Sequence, residues 1–281
     1  MTALQLKDIA PGHADSDLAR YLDFTFDRLD ADGVLVRLPP SPAAQDEDAR
    51  SHIDDRALLA TADHCMGVAI HAALEEKAPL ATVDLKFEKF RRTSPGEIFL
   101  RIGRAITVSK LAFVAAWLDQ GDAQRPIGHV SARFMIGAWP GGGAMALPQP
   151  LQSAIDLSGI ETFASFAGLP PRSACKPRFE LAPLERTIGA RAVPAFHGGV
   201  VAAGLTTAAA ALAEGQRGRA AVMANCSIDY LRAALATQAL HFDAELISSG
   251  RKTMRVRAVA RQRAQQQPIA QALVLFAIEQ D

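Results

Sequence analysis

The chain of 281 residues contains itself twice, and that constrains its fold more than any other feature. Laying residues 81–91 over residues 222–232 puts Asp84 on Asn225, Phe87 on Ile228, Glu88 on Asp229 and Arg91 on Arg232. Downstream, Ser109-Lys110 falls on Gly250-Arg251. With one inserted residue, Pro126-Ile127 falls on Pro268-Ile269 and Phe134 on Phe276. Upstream, Val36, Leu38 and Pro40 fall on Phe179, Leu181 and Pro183. Identities are few; the apolar alternation and the turn positions carry the match. A repeat of this length means that each copy is one structural unit built on the same plan.

Each half carries the same predicted order of elements. A short amphipathic helix (18–29; 160–169) is followed by a short strand (34–38; 178–181), a polar loop and a long Ala-rich helix (58–74; 200–212). Four strands close the half, in the first copy at 81–90, 98–108, 111–119 and 127–136. Val83, Leu85 and Phe87 alternate with polar residues, as do Ile228 and Tyr230, which is the period of a sheet with one packed face. Residues 139–152 read as a linker between a domain at 1–138 and one at 153–281. The linker's Gly141–Gly143 run is not a P-loop, because no Gly-Lys-Ser/Thr follows it. One apolar helix followed by antiparallel strands, once per half, is an α+β pattern. Such a helix cannot face water, so the sheet must wrap it. Two such halves would pack as a pseudo-symmetric pair, the intrachain analogue of a two-fold dimer.

Charge and cysteine content narrow the function. Lys+Arg 30 balances Asp+Glu 30, which argues against a nucleic-acid binder, whose footprint is a basic field. The acidic excess lies in the first half and an equal basic excess in the second. Cys65, Cys175 and Cys226 are odd in number and widely spaced. That excludes a disulfide framework and a Cys-built zinc site, and fits a reducing, cytoplasmic setting. The opening residues lack a basic stretch followed by an apolar one, so no signal peptide is expected. Residues 193–213 lack Asp, Glu, Lys and Arg, but hold Pro194, His197, three glycines and mostly alanine. A packed central helix, not a membrane span, is the expectation.

Two places could carry chemistry. Asp63 shares a helical stripe with Leu59, Met66 and Ile70. A carboxylate on an apolar face is costly unless paired, protonated or facing a cleft, so it is a candidate base or nucleophile. His64, one step around the helix, reads as a packing or hydrogen-bonding histidine. In the second half, His197-Gly198-Gly199 opens the long helix. Paired glycines there make sense where a ligand or another backbone comes close, and free N–H groups at a helix start bind oxyanions. The repeat relates the two places. Asp63 lies nine positions after Asp54, and Thr206 nine after His197. One half therefore keeps the acid and the other keeps the glycines. A site needing both must lie between the halves, with one complete copy per chain.

His-Gly-Gly at a helix start with an acid nine residues on resembles hotdog-fold acyl-CoA thioesterases of the phenylacetyl-CoA (PaaI-like) type, here in a tandem double-hotdog form. The strand ends at 84–91 and 228–232, Pro95-Gly96 and Gly250-Arg251 are similar to the same family. The resemblance implies that Asp63 activates water or attacks the thioester carbon. It also implies that the N–H groups of Gly198 and Gly199 hold the oxyanion, at about 3–4 kcal/mol per well-placed donor. It implies no cofactor beyond the coenzyme A thioester, which is the substrate. Family members often carry Asn or Gln six residues before the His, where this chain has Arg191. Met66, Arg191, Asp84, Arg91, Arg232 and Arg251 are the candidate substrate contacts, the arginines for phosphates of coenzyme A. Neither nucleic acid nor membrane is an expected partner, and the intrachain pseudo-dimer leaves room for a further homo-oligomer. Two rival readings remain. One is a type II-like thioesterase using the strand-borne Asp84, for which Ser109 would serve as the hydroxyl but no matching Gln exists. The other is a non-catalytic acyl-CoA-binding or regulatory protein. Hotdog dehydratases are disfavoured, because neither a His-Phe-Pro-Gly nor an Asn-Pro-Ile-His run occurs.

Overall fold

A computed structural model describes residues 16–30, 33–46, 52–74, 78–137, 155–190, 194–218, 221–262 and 267–278. The expected linker at 139–152, and Arg191, lie outside the described residues.

In the first half, α1 (Asp17–Leu22) leads to β1 (Thr25–Asp30) and β2 (Gly33–Leu38). The long helix α2 (Asp55–Ala73) follows, then β3 (Leu80–Lys89), β4 (Ile98–Gly103), β5 (Ile106–Val108), β6 (Leu111–Asp119) and β7 (Gly128–Ile136). In the second half, α3 (Phe163–Ala167) leads to β8 (Arg178–Leu181), β9 (Ile188–Ala190), β10 (Ala195–Phe196) and the long helix α4 (Gly198–Arg217). Strands β11 (Val222–Tyr230), β12 (Leu240–Ser249), β13 (Thr253–Arg261) and β14 (Ala270–Ala277) complete the chain.

One antiparallel sheet runs through both halves in the order β1-β2-β4-β6-β7-β3-β11-β14-β13-β12-β8, with β5 paired to β6. Read outward from its centre, β3-β7-β6-β4-β2 repeats as β11-β14-β13-β12-β8. The join is the β3–β11 ladder, where Asn225 faces Glu88 and Asp229 faces Asp84. The sequence repeat equates Asp84 with Asn225 and Glu88 with Asp229, so each equated pair exchanges partners, as a two-fold axis requires. Lys86 and Ser227, also equated, face each other on that axis. The odd positions Leu85 and Phe87 and their partners Ile228 and Cys226 are buried under the two long helices. Those helices are apolar nearly all round, from Ala57 to Ile70 and from Gly199 to Ala209. The sheet covers one side of each and they pack on one another on the other, which is the burial such a helix needs. α4 is the one helix among the described residues long and apolar enough to cross a membrane, and it lies in this core.

Three expectations need correction. The helix expected at 18–29 stops at Leu22, because Asp23 is left-handed (φ 53°) and its N–H closes the last turn on Ala19. Phe24 is buried, Thr25 exposed and Phe26 half-buried, an alternation that belongs to β1 and its hairpin with β2. The helix expected at 160–169 shrinks to α3, capped by the Thr162 hydroxyl and by left-handed Gly168. The strand expected at 98–108 is broken into β4 and β5. Ile102 faces Ala116 and Ile106 faces Phe113, so one extra residue is inserted, a β-bulge. The equivalent strand β12 carries its own register shift, between Leu246 and Ser248.

A second repeated bulge matters more. Register slips between Thr82 and Asp84 against β7, and between Met223 and Asn225 against β14. Strict alternation from Leu85 and Phe87 would turn Thr82 away from the helices. The bulge at Val83 flips it back, opposite buried Phe134 and toward α2.

Candidate active site

The opening of α4 packs against the second and third turns of α2. Asp54 caps α2, accepting the Arg56 N–H at 2.8 Å, and His197 caps α4, its Nδ1 accepting the Gly199 N–H at 3.0 Å. The repeat equates these two residues, and both do the same work at the same place. Nine residues into α2, Asp63 comes up against the opening of α4. A Cβ built on Gly198 would lie 2.7 Å from Asp63 Oδ2, and one on Gly199 would lie 2.4 Å from the Ala60 Cα. Gly199 is therefore required by close approach of the helices, and Gly198 by close approach of the carboxylate.

Asp63 is 5% exposed. Its Oδ1 accepts the Thr82 hydroxyl at 2.8 Å, and its Oδ2 lies 3.5 Å from His197 Nδ1. Burial pushes the carboxyl up to about 6, against the opposing pull of the Thr82 hydroxyl and the Gly199 N–H. Burial pushes the His197 imidazole down to about 4, so it is neutral near pH 7. Because Nδ1 of His197 accepts from Gly199, its proton sits on Nε2, which lies 3.4 Å from His64 Nδ1. His64 Nδ1, in the first half, is then the acceptor that faces this proton, so Gly199 and His64 together suit one tautomer of His197. The Tyr230 hydroxyl donates to the Gly198 carbonyl at 3.0 Å, pinning the Gly198–Gly199 peptide from the other side.

The two glycine N–H groups differ in their partners. The Gly199 N–H is taken up by His197 and Asp63. The Gly198 N–H has no acceptor among the described residues, so it is the donor left free at this helix start.

The position related by the two-fold is filled differently. Thr206 stands for Asp63 and returns its hydroxyl to Ala202 and Ala203 of its own helix, at 3.0 and 3.1 Å. Met223 stands for Thr82, so the acid and its donor are both missing. Arg56 grips Asp54 through both carboxylate oxygens, and Lys89, which the repeat equates with Tyr230, reaches Asp55 at 2.5 Å. Lys89 and Asp55 are 10% and 22% exposed. Charged side chains with satisfied partners occupy the space that the glycines leave open on the other side.

Among the described residues, none of the remaining candidates is hydrogen-bonded or ion-paired to Asp63. Met66 is fully buried in the core. Asp84 points to the outer face of the sheet with Lys86 and Glu88 and is held by Arg133 at 2.7 Å. Arg91 and Arg232 hold the carbonyls of Pro126 and Pro268 at 3.2 Å, equal tasks at equated positions. Arg251 is exposed in the β12–β13 turn. A cavity of about 690 Å³ bordered by Tyr21, Asp46 and Thr162 is separate from Asp63, which is not in its lining. No three His, Cys, Asp or Glu side chains gather as a metal site among the described residues. Thr82, Tyr230 and the tautomer role of His64 were not anticipated. A hydroxyl or phenol near a strand end gave no signal, since a bulge decides which way Thr82 points.

Two helices, each wrapped by half of a continuous antiparallel sheet, define the hotdog fold. A protein from Alicyclobacillus acidocaldarius described as having a hot dog fold superposes with a TM-score of 0.57 at 9% identity, over 94% of this chain and 98% of that one. A Lactobacillus plantarum protein assigned as an oleoyl thioesterase superposes with a TM-score of 0.61 at 9% identity, over 89% of this chain and 99% of that one. The 12:0-ACP thioesterase of Umbellularia californica superposes with a TM-score of 0.58 at 7% identity, over 86% of this chain and 93% of that one. Residues 195–269 match the model of the thioesterase superfamily. That segment begins two residues before His197 and lies wholly in the second half. No curated protein matches the chain by sequence.

Proposed function

We propose that the protein hydrolyses an acyl-CoA thioester to the free acid and coenzyme A, at one site per chain between its two halves. The observation that carries this reading is the Asp63 carboxylate of one half lying against Gly198, at the opening of the other half's helix. Asp63, held by Thr82, removes a proton from a water that attacks the thioester carbon, or attacks that carbon itself to give an acyl anhydride that water then hydrolyses. The Gly198 N–H, at the positive end of α4, takes the charge that develops on the carbonyl oxygen. The thiolate leaves with little acid assistance, because a thiol is far more acidic than an alcohol. The thioesterase-superfamily match over the half that bears His197, and the thioesterases among the superposed structures, support the reaction class.

The filled position at Asp54, Asp55, Arg56 and Lys89 supports a single site per chain. The pairing of Asp84 with Arg133 on the outer face speaks against a site built on Asp84.

The test is thiol release from a panel running from acetyl- to palmitoyl-CoA, with phenylacetyl-CoA and an acyl carrier protein thioester alongside. Turnover of at least one acyl-CoA is the expected result. Tight binding of an acyl-CoA with no turnover of any member would replace this reading by the non-catalytic one. Turnover of the carrier-protein thioester alone would move the substrate class.

A further inference from the structure

An antiparallel sheet that covers a core with one face turns polar residues to water on the other. The outer face of the first half departs from that rule. Along β6, Leu111, Phe113, Ala115 and Trp117 point away from α2, while Ala112, Val114, Ala116 and Leu118 are buried beneath them. Ile106 and Val108 of β5 stand opposite Phe113 and Leu111, and residues that stand opposite share a face. At the other end of the row, the Trp117 ring lies 6.2 Å from that of Phe90 and 4.7 Å from that of His129. Phe90, Ile106, Val108, Leu111, Phe113 and Trp117 are 39% to 71% exposed.

The internal repeat supplies the control. Strand β13 holds the place of β6: Thr253 faces Ala277 and Arg255 faces Leu275, as Leu111 faces Met135 and Phe113 faces Arg133. The second half therefore builds the same strand with Thr253, Arg255 and Arg257 where the first has Leu111, Phe113 and Ala115. Ser248 stands opposite Arg255 where Ile106 stands opposite Phe113. The fold does not itself require an apolar row at this place. Aromatic side chains carry about 150–250 Å² each, so six large residues about half exposed present roughly 600 Å². That is at the upper end for the largest apolar patch of a monomer. With a polar rim added, it approaches the roughly 800 Å² per partner of a specific interface.

We propose that this outer face is the contact between two copies of the chain, packed sheet on sheet about a two-fold axis. Sheets stack about 10 Å apart through interdigitating apolar rows, and the row from Leu111 to Trp117 runs for about 20 Å. A patch confined to one half meets the same patch on the copy, so association closes at a dimer and does not run on into fibres. The border suits self-contact. It holds both signs, with Asp84 paired to Arg133 and with Lys86 beside Glu88 on the outer side of β3. A border of one sign would repel its own copy, and a basic one would be needed to hold an anionic lipid surface. The contact lies on the side of the sheet away from Asp63, so it stands apart from the reaction.

The test is sedimentation velocity of the full chain from about 1 to about 100 μM, a range over which mass action reveals a dimer. Wild type should sediment at twice the chain mass of 29.9 kDa. Phe113→Arg gives the first half the residue that the second carries at the same place, so circular dichroism should show an unchanged fold. Because the substitution enters a two-fold contact twice, the dimer dissociation constant should rise at least about a hundredfold. Leu111→Thr, which copies Thr253, should weaken the dimer by a smaller factor. Leu273→Ser, at an exposed apolar residue on the outer face of the second half, should leave it intact. A wild type that is monomeric throughout, or a dimer that survives Phe113→Arg and Leu111→Thr, would overturn the proposal. A dimer lost only in Leu273→Ser would do the same. A monomeric wild type that pellets with phosphatidylglycerol vesicles would assign the face to a lipid surface, and this too would overturn it.

Discussion

Replacing Thr82 by valine removes one hydrogen bond and little else. The hydroxyl lies 2.8 Å from Asp63 Oδ1, the residue is half-buried in a strand, and valine matches its shape and suits a strand at least as well. The bond stabilises the charged carboxylate, so it lowers the Asp63 pKa, and its loss must raise it. A hydrogen bond to a charged group contributes roughly 1.5–3 kcal/mol. At about 1.4 kcal/mol per pH unit, that is an upward shift of about one to two units. In the wild type the carboxyl sits at about 6. Its activity as a base or nucleophile should therefore rise with pH through about 6 and level off above 7. In Thr82→Val the rise should move to between about 7 and 8, with the plateau recovered at high pH apart from any loss from looser positioning. The assay is kcat/KM against pH from 5 to 9, which reports the free protein's ionisation. The melting temperature at pH 8 serves as the control for folding. An acid limb that stays in place, or moves to lower pH, would refute the role assigned to Thr82.

Other substitutions separate function from stability. The Asp63 carboxyl is held near 6 against a usual value of 3.8, so its ionisation opposes folding as pH rises through that window. Asp63→Asn should stabilise the protein above pH 6 by up to about 3 kcal/mol, a gain that disappears below about pH 4, checked by urea unfolding at both pH values. Gly198→Ala should stay folded yet lose activity, because its Cβ lies in the space of the carboxylate, whereas Gly199→Ala drives a methyl into Ala60 and should lose about 1–3 kcal/mol of stability. Circular dichroism melts and thiol release distinguish the two. Lys89→Met strands the mostly buried Asp55 and should cost about 3–5 kcal/mol. The double variant with Asp55→Asn should recover most of that.

The repeat was legible because strand alternation and turn positions survive when identities do not. It gave the order of strands, the equivalence of Asp54 with His197, and the division of the acid from the glycines. What escaped was whatever depended on a break in a pattern. The bulge at Val83 leaves no mark in composition, yet it turns Thr82 toward Asp63. Phe24 and Phe26 read as part of a helical face because Asp23, whose left-handed backbone ends α1, is not a glycine. The use of the Gly199 N–H by His197 was hidden because histidine is an unusual helix cap, and its ring takes the donor that the resemblance assigned to the oxyanion. Nothing in the sequence pattern pairs Lys89 with Asp55, thirty-four residues apart, yet the fold buries them together at the site's counterpart.

The central claim is that hydrolysis depends on the Asp63 carboxylate set against the opening of α4. The most direct test is the rate of coenzyme A release from the best acyl-CoA substrate by wild type and by Asp63→Asn, both shown to be folded at pH 8. The account predicts a fall of at least about a hundredfold in kcat/KM. An Asp63→Asn protein that keeps its rate within a few-fold of wild type would contradict it.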